Sequence, residues 1–97
     1  MAQIVYSSEA LQDFERIIDF LLNASPGAVG DAVSQIRDAI AILERHPSVG
    51  RRVDSARREL VITHGASGYL ALYRHEPRSN IVRILRIRHQ REAGYRD

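Results

Sequence analysis

The sequence has 97 residues, 44% of them hydrophobic and 27% charged, with a formal net charge of +2 and no cysteine. These values predict one globular domain, residues 1–97, and exclude disulfide bonds and thiolate metal sites. No apolar run reaches the roughly 18 residues of a membrane span, and the N-terminus lacks a signal-peptide pattern, so we expect a cytoplasmic protein without membrane contact.

The first predicted elements are a strand and a helix. Residues 2–7, AQIVYS, are typical of a short strand, and the serines at 7 and 8 can cap the following helix. Residues 8–25 place six apolar side chains at helical spacing, which predicts the face that packs on the core. These are Leu11, Phe14, Ile17, Ile18, Leu21 and Leu22.

A second amphipathic helix is predicted over residues 26–45. Pro26 suits the first position of a helix, and His46-Pro47 ends it because the residue before proline disfavours the helical region. The two helices are expected to form an antiparallel hairpin. The apolar stripe of the second helix consists of Val29, Ala32, Val33, Ile36, Ile40 and Leu43.

Beyond the loop HPSVGRRVDSA, the sequence changes to strand-like patterns. Residues 57–64, 69–76 and 80–89 are rich in branched and aromatic side chains, and the turn sequences GASG and PRSN separate them. We predict a three-stranded antiparallel sheet with the helix hairpin on one face. The fold class is therefore α+β, with a short N-terminal strand before the helices.

The last predicted strand carries an unusual number of arginines. All fourteen basic residues of the chain are arginine, and eleven of them lie in residues 51–97. Alternation places Ile81, Arg83, Leu85, Ile87 and His89 on one face and Val82, Ile84, Arg86 and Arg88 on the other. The second series changes from apolar to cationic, which predicts an uncovered basic patch that Arg74 extends. The alternative is a solvated strand face that contributes only solubility.

Four segments, together with the helix hairpin, carry a resemblance to a known family. LERHPSVGRRV, RRELVI, GYLALYR and VRILRIRHQREAGY make the chain similar to the ParE/RelE superfamily, the toxins of bacterial type II toxin–antitoxin systems, over nearly its whole length. The resemblance implies a helix hairpin packed on an antiparallel sheet. It also implies a cognate antitoxin, encoded in the same operon, that wraps the toxin.

The superfamily contains two kinds of toxin, and both remain open at this point. RelE-like members are endonucleases that cleave mRNA in the ribosome, which requires cations on the phosphate and an acid–base pair. On that reading Arg58, Arg74 and Arg88 supply the cations, Glu59, His75 or His89 supplies the base, and Tyr95 stands in for the terminal tyrosine of the family.

ParE-like members inhibit DNA gyrase and have no nuclease site, and this is the function we favour. Some RelE-like relatives have an adjacent His-Tyr pair at the end and others use lysine, whereas here His89 and Tyr95 are not adjacent and the chain has no lysine. The terminal R-H-x-R-E resembles the ParE-like end. The expected target-binding residues are Arg83, Arg86, Arg88, His89, Arg91 and Tyr95, with Tyr95 and Arg96 in a mobile tail.

A plain nucleic-acid-binding module is a third possibility. No cofactor is expected, and no metal, since no residues have metal-ligand spacing.

Overall fold

The computed structural model of the protein describes residues 1–64, 67–92 and 94–95. Short 3₁₀ turns at Pro26–Ala28 and Ile42–Glu44 flank the second helix, so the segment predicted as one helix is α-helical only in its middle. The elements are β1 (Gln3–Tyr6), α1 (Ser8–Ala24), α2 (Val29–Ala41), β2 (Arg51–Arg52), β3 (Arg58–His64), β4 (Ser67–Glu76) and β5 (Ile81–His89).

The strands form one five-stranded mixed sheet in the order β1-β5-β4-β3-β2. The predicted sheet of three antiparallel strands therefore has two strands fewer than the observed sheet and lacks its parallel pair. β1 joins the sheet parallel to β5, with Gln3 opposite Ile81, and β2 adds a short antiparallel edge beside β3. Sequence patterns did not reveal either pairing, because β1 and β5 are distant in the chain and β2 is too short to show a period.

The two helices cover one face of the sheet, α1 against β5 and α2 against β3. The predicted stripe of the second helix is confirmed, with Ile36 and Ile40 fully buried in α2 and Leu43 fully buried in the 3₁₀ turn that follows. The stripe of α1 was predicted less well, because Leu11 and Leu22 are 51% and 53% exposed. No helix in the described ranges is long and apolar enough to cross a bilayer.

A register shift between β4 and β5 sorts the residues of β5 onto two faces. Leu72 lies opposite Arg86 and Tyr73 lies opposite Ile84, so Leu85 is an extra residue in β5. Such a β-bulge reverses the alternation of side chains beyond it. The predicted faces of this strand were therefore wrong after residue 84. Val82, Ile84 and Ile87 share the core face, and Arg83, Arg86 and Arg88 share the opposite face.

The turn after β4 uses the predicted sequence PRSN. Asn80 has a φ of 52°, the left-handed region that asparagine tolerates better than most residues, and its N–H donates to Pro77 O at 3.3 Å. The other predicted turn, GASG, includes Gly65 and Ala66, which lie outside the described residues.

Residues 47–51, PSVGR, within the segment LERHPSVGRRV, are held against the sheet by one buried tyrosine. The hydroxyl of Tyr73 donates to Pro47 O at 2.8 Å and accepts from Gly50 N at 2.9 Å. A Cβ at position 50 would lie 2.7 Å from that hydroxyl, so only glycine fits there without a shift. The segment that carried much of the resemblance therefore has a structural role in closing one end of the core.

Candidate functional site

The face of the sheet opposite the helices carries most of the predicted site. The register places Arg74 beside Arg83 and places Leu72 between Glu59 and Arg86. We call this side, with Arg74, Arg83, Arg86 and Arg88, the arginine face. The structure therefore brings together four of the arginines that the sequence singled out.

The arginines at one corner of this face are neutralised in part by Glu76. Arg83 Nε and Arg74 Nε each donate to Glu76 Oε2 at 2.9 Å. These hydrogen bonds, first from Arg83 and then from Arg74, lower the pKa of Glu76 to about 2. The predicted basic patch is therefore partly ion-paired at this corner, and one carboxylate shared by two guanidinium groups leaves a net positive charge.

We expect an NMR titration of the Glu76 carboxyl to give a midpoint near 2, well below the reference 4.5. A lowered pKa means that the stabilisation is complete above the unfolded-state value and is lost as the pH falls through the folded one. Arg83→Gln should raise the midpoint, because it removes the larger contribution. Arg37→Gln, on α2, should leave it unchanged. A wild-type midpoint near 4.5 would contradict the pairing.

Asp13 on α1 forms a second ionic network, at the edge of β5. Its Oδ2 accepts from Ile87 N at 2.9 Å and from Arg86 Nε at 2.8 Å, and its side chain is only 5% exposed. Arg16 also pairs with Asp13, at 3.4 Å, and with Glu92. The pairing of β1 with β5 ends at Ile84, so the backbone of β5 beyond it has no neighbouring strand on this edge. The carboxylate of Asp13 accepts the hydrogen bond of the Ile87 N–H in place of a strand carbonyl. The Arg86 guanidinium is therefore ion-paired with Asp13 and is not a free cation on the surface.

A third contact joins the C-terminal segment to β3. The hydroxyl of Tyr95 donates to Oε2 of Glu59 at 2.7 Å, and Arg51 donates to the other oxygen. Burial tends to raise the pKa of Glu59, but the hydrogen bonds from Arg51 and Tyr95 outweigh it and lower the pKa. The pKa of Tyr95 is raised, first by burial and then by its bond to Glu59. The pair thus consists of an ionised carboxylate and a protonated phenol.

The ring of Tyr95 lies across the arginine face. The guanidinium carbons of Arg88 and Arg86 are 5.2 Å and 5.7 Å from the ring centroid, within cation–π range. A side chain that contacts β5 and bonds to β3 must cross β4, which explains why Leu70 and Leu72 are buried on this face. The expectation that Tyr95 belongs to a mobile tail is not what the structure shows. Arg96 lies outside the described residues.

Arg88 and Arg91 complete the basic end of β5. Arg88 Nη1 donates to Glu92 O at 2.6 Å, whereas its Nε is buried without a hydrogen-bond partner in the described part of the chain. The side chain of Arg91 is exposed and forms no ion pair with any described residue. Arg91 is therefore the predicted contact arginine most available to a partner.

The remaining candidates lie on the helix side of the sheet. His89 is opposite Tyr69, with ring centroids 5.3 Å apart in an edge-on arrangement, and Arg58 is opposite the buried Tyr73. His75 follows on the same side and shares a 3.0 Å hydrogen bond with Asn80. The seven residues considered for a nuclease are therefore divided. Glu59, Arg74, Arg88 and Tyr95 lie on the arginine face, and Arg58, His75 and His89 lie on the helix side.

Sequence reasoning identified Glu59 but missed Asp13 and Glu76, the other two carboxylates that organise this site. Asp13 was not among the residues predicted to face the core, yet it lies at helical spacing from the buried Ala10 and Ile17, a signal that was available. The pairing of Glu76 with Arg83 across a four-residue turn was also readable from the predicted hairpin.

Within residues 1–64, 67–92 and 94–95, no three histidine, aspartate or glutamate side chains are grouped as metal ligands would be.

Comparison with known proteins gives consistent matches over almost the whole chain. The family model described as "ParE toxin of type II toxin-antitoxin system, parDE" matches residues 4–94. The protein named Toxin RelE3 from Caulobacter vibrioides is 35% identical, over 95% of this chain and 98% of that protein. Toxin RelE2 from the same organism is 32% identical, over 92% of this chain and 96% of its own length.

A solved structure supports the fold. The structure described as "Chromosomal ParDE TA system from P. aeruginosa" superposes with a TM-score of 0.73 and covers 92% of this chain and 96% of that one. Its sequence identity is 22%, so this likeness concerns the arrangement of helices and strands.

Proposed function

The chain belongs to the ParE toxin family of type II toxin–antitoxin systems, and from this membership we propose that it arrests growth by inhibiting DNA gyrase. A toxin of this type has a cognate antitoxin as its partner, which we expect to be encoded in the same operon. Exposed apolar side chains on α1, among them Leu11, Phe20 and Leu22, offer such a partner a surface.

The pairing of the candidate acid and base with each other is the observation that carries this proposal. Cleavage by 2′-hydroxyl attack needs a base, an acid and cations around one scissile phosphate. The candidates on the helix side of the sheet are Arg58, His75 and His89, and those on the arginine face are Glu59, Arg74, Arg88 and Tyr95. On the arginine face, Glu59 is already ion-paired with Arg51 and accepts the hydroxyl proton of Tyr95. This candidate base and acid are therefore satisfied by contacts within the protein.

The protonation state of Tyr95 also argues against a nuclease. Its hydroxyl proton is already donated to Glu59, and its raised pKa makes the phenol a poor proton donor near neutral pH. The role that the contacts give to Tyr95 is to fasten the C-terminal segment over β4. A surface that binds a protein target needs such ordering, because a flexible segment loses more entropy on binding.

Tyr95→Phe tests whether the hydroxyl is structural or catalytic. The variant keeps the ring over Arg86 and Arg88 and loses one hydrogen bond, so we expect gyrase inhibition within a few-fold of wild type and a stability loss of about 1 kcal/mol. A nuclease that used this hydroxyl should instead lose about 10²–10⁴-fold in cleavage rate.

The measurements are supercoiling by purified gyrase and primer extension on mRNA after induction. Tyr6→Phe, which removes a hydroxyl on the helix side, is the control for the loss of a tyrosine oxygen in general. New 5′ ends within codons that disappear in Tyr95→Phe and persist in Tyr6→Phe would establish the ribosome-dependent endonuclease in place of the gyrase inhibitor.

A further inference from the structure

A small basic pocket lies on the helix side of the sheet, away from the arginine face. It has a volume of about 180 Å³ and is lined by Ser48, Ser55, His75 and three arginines, Arg52, Arg57 and Arg58. Arg52 is opposite Arg58 in the pairing of β2 with β3, which brings these two guanidinium groups to the same side. None of the three arginines belongs to the surface proposed to contact gyrase.

Two of the three guanidinium groups are held in place without any ligand. Nη1 of Arg58 donates to Ser48 O at 3.0 Å and to Gly50 O at 2.8 Å. Arg57 is fixed by Asp54, with Nε 2.8 Å from Oδ2. Groups that are already ordered lose little entropy when a ligand binds. The side chain of Arg52 forms no hydrogen bond or ion pair with the described residues, so its donors are open to a ligand.

The one carboxylate in the lining is already satisfied. Oδ1 of Asp54 accepts from the backbone N–H groups of Ala56 and Arg57 at 2.9 Å and 2.8 Å, while Oδ2 accepts from the Arg57 side chain. These contacts, led by the Arg57 side chain, lower the pKa of Asp54 to about 2, so it is ionised at neutral pH. Three guanidinium groups against one carboxylate leave the pocket with an excess of positive charge.

We propose that this pocket binds a phosphoryl group. Arginine presents a planar fork of donors that matches phosphate oxygens, and guanidinium groups from three positions can contact different oxygens of one tetrahedral anion. The two serine hydroxyls in the lining add neutral donors. The volume is below the roughly 300–1,000 Å³ of sites for larger ligands, which favours a single phosphoryl group over a whole nucleotide. Free phosphate and the backbone of a nucleic acid share this chemistry.

The test is a ¹H–¹⁵N NMR titration of the full chain, purified free of its antitoxin. The ligands are inorganic phosphate and, separately, a short oligonucleotide, with chloride at equal ionic strength as the reference. We expect saturable shifts of the amides at Ser48, Arg52 and Ala56. Arg52→Gln should weaken binding about tenfold or more, because it removes a hydrogen bond to a charged group. Arg37→Gln makes the same charge change on α2 and should bind as wild type does.

The two ligands separate the sources of the phosphoryl group. Shifts at these amides with phosphate alone identify a site for a free anion, and shifts with the oligonucleotide identify a backbone phosphate. The proposal is overturned if neither ligand gives saturable shifts at these amides, or if Arg52→Gln and Arg37→Gln bind equally well. Because gyrase inhibition is measured separately, this result does not depend on the proposed function.

Discussion

Asp13→Ala should lower the free energy of unfolding by about 3–5 kcal/mol, the usual cost of removing one partner from a buried ion pair. The substitution leaves the Arg86 guanidinium without its carboxylate and the Ile87 N–H without an acceptor. Both groups lie where α1 closes the edge of β5, so water does not readily replace the lost contacts. Urea unfolding followed by circular dichroism measures the change.

Asp19→Ala is the matched control for this prediction. Asp19 is an exposed aspartate on the same helix, and the change alters the net charge equally. An exposed substitution of this kind normally changes stability by no more than about 0.5 kcal/mol. Equal effects of the two substitutions would mean that the Asp13 network does not hold α1 to the sheet.

Arg91→Glu should weaken gyrase inhibition by at least about tenfold without unfolding the toxin. Arg91 is exposed and unpaired within the described residues, so its charge is available to an acidic surface of a target. Arginines at binding hot spots contribute about 2 kcal/mol or more, and reversing the charge adds repulsion. The other predicted contact arginines are held in internal contacts, so replacing them also disturbs the fold.

The dose that halves supercoiling measures this effect, with Arg37→Glu on α2 as the control for charge reversal elsewhere. Thermal unfolding of both variants shows whether they remain folded. If Arg91→Glu and Arg37→Glu inhibit gyrase as well as the wild type does, Arg91 does not contact the target.

The helices, the three long strands and the PRSN turn were predictable because local periodicity and turn residues define them. The stripe of the second helix is an example, since Ile36, Ile40 and Leu43 repeat at helical spacing and are buried. The pairing of β1 with β5 was not predictable in the same way. It joins residues about eighty positions apart, and four residues of β1 give no signal about which strand they meet.

The candidate site shows a second limit of sequence reasoning. The arginines of β5 were identified, but the bulge at Leu85 changes which of them share a face, and a one-residue change of register is invisible in the alternation pattern itself. The acidic partner of Arg86 was missed for a related reason. Asp13 is distant in sequence from Arg86, and the pair forms because α1 packs against β5.

Supercoiling of relaxed plasmid by purified gyrase, with the full-length protein titrated into the reaction, tests the central claim most directly. The account predicts that supercoiled product falls as toxin is added and returns when the cognate antitoxin is supplied. Undiminished supercoiling at a stoichiometric excess of folded toxin would contradict it.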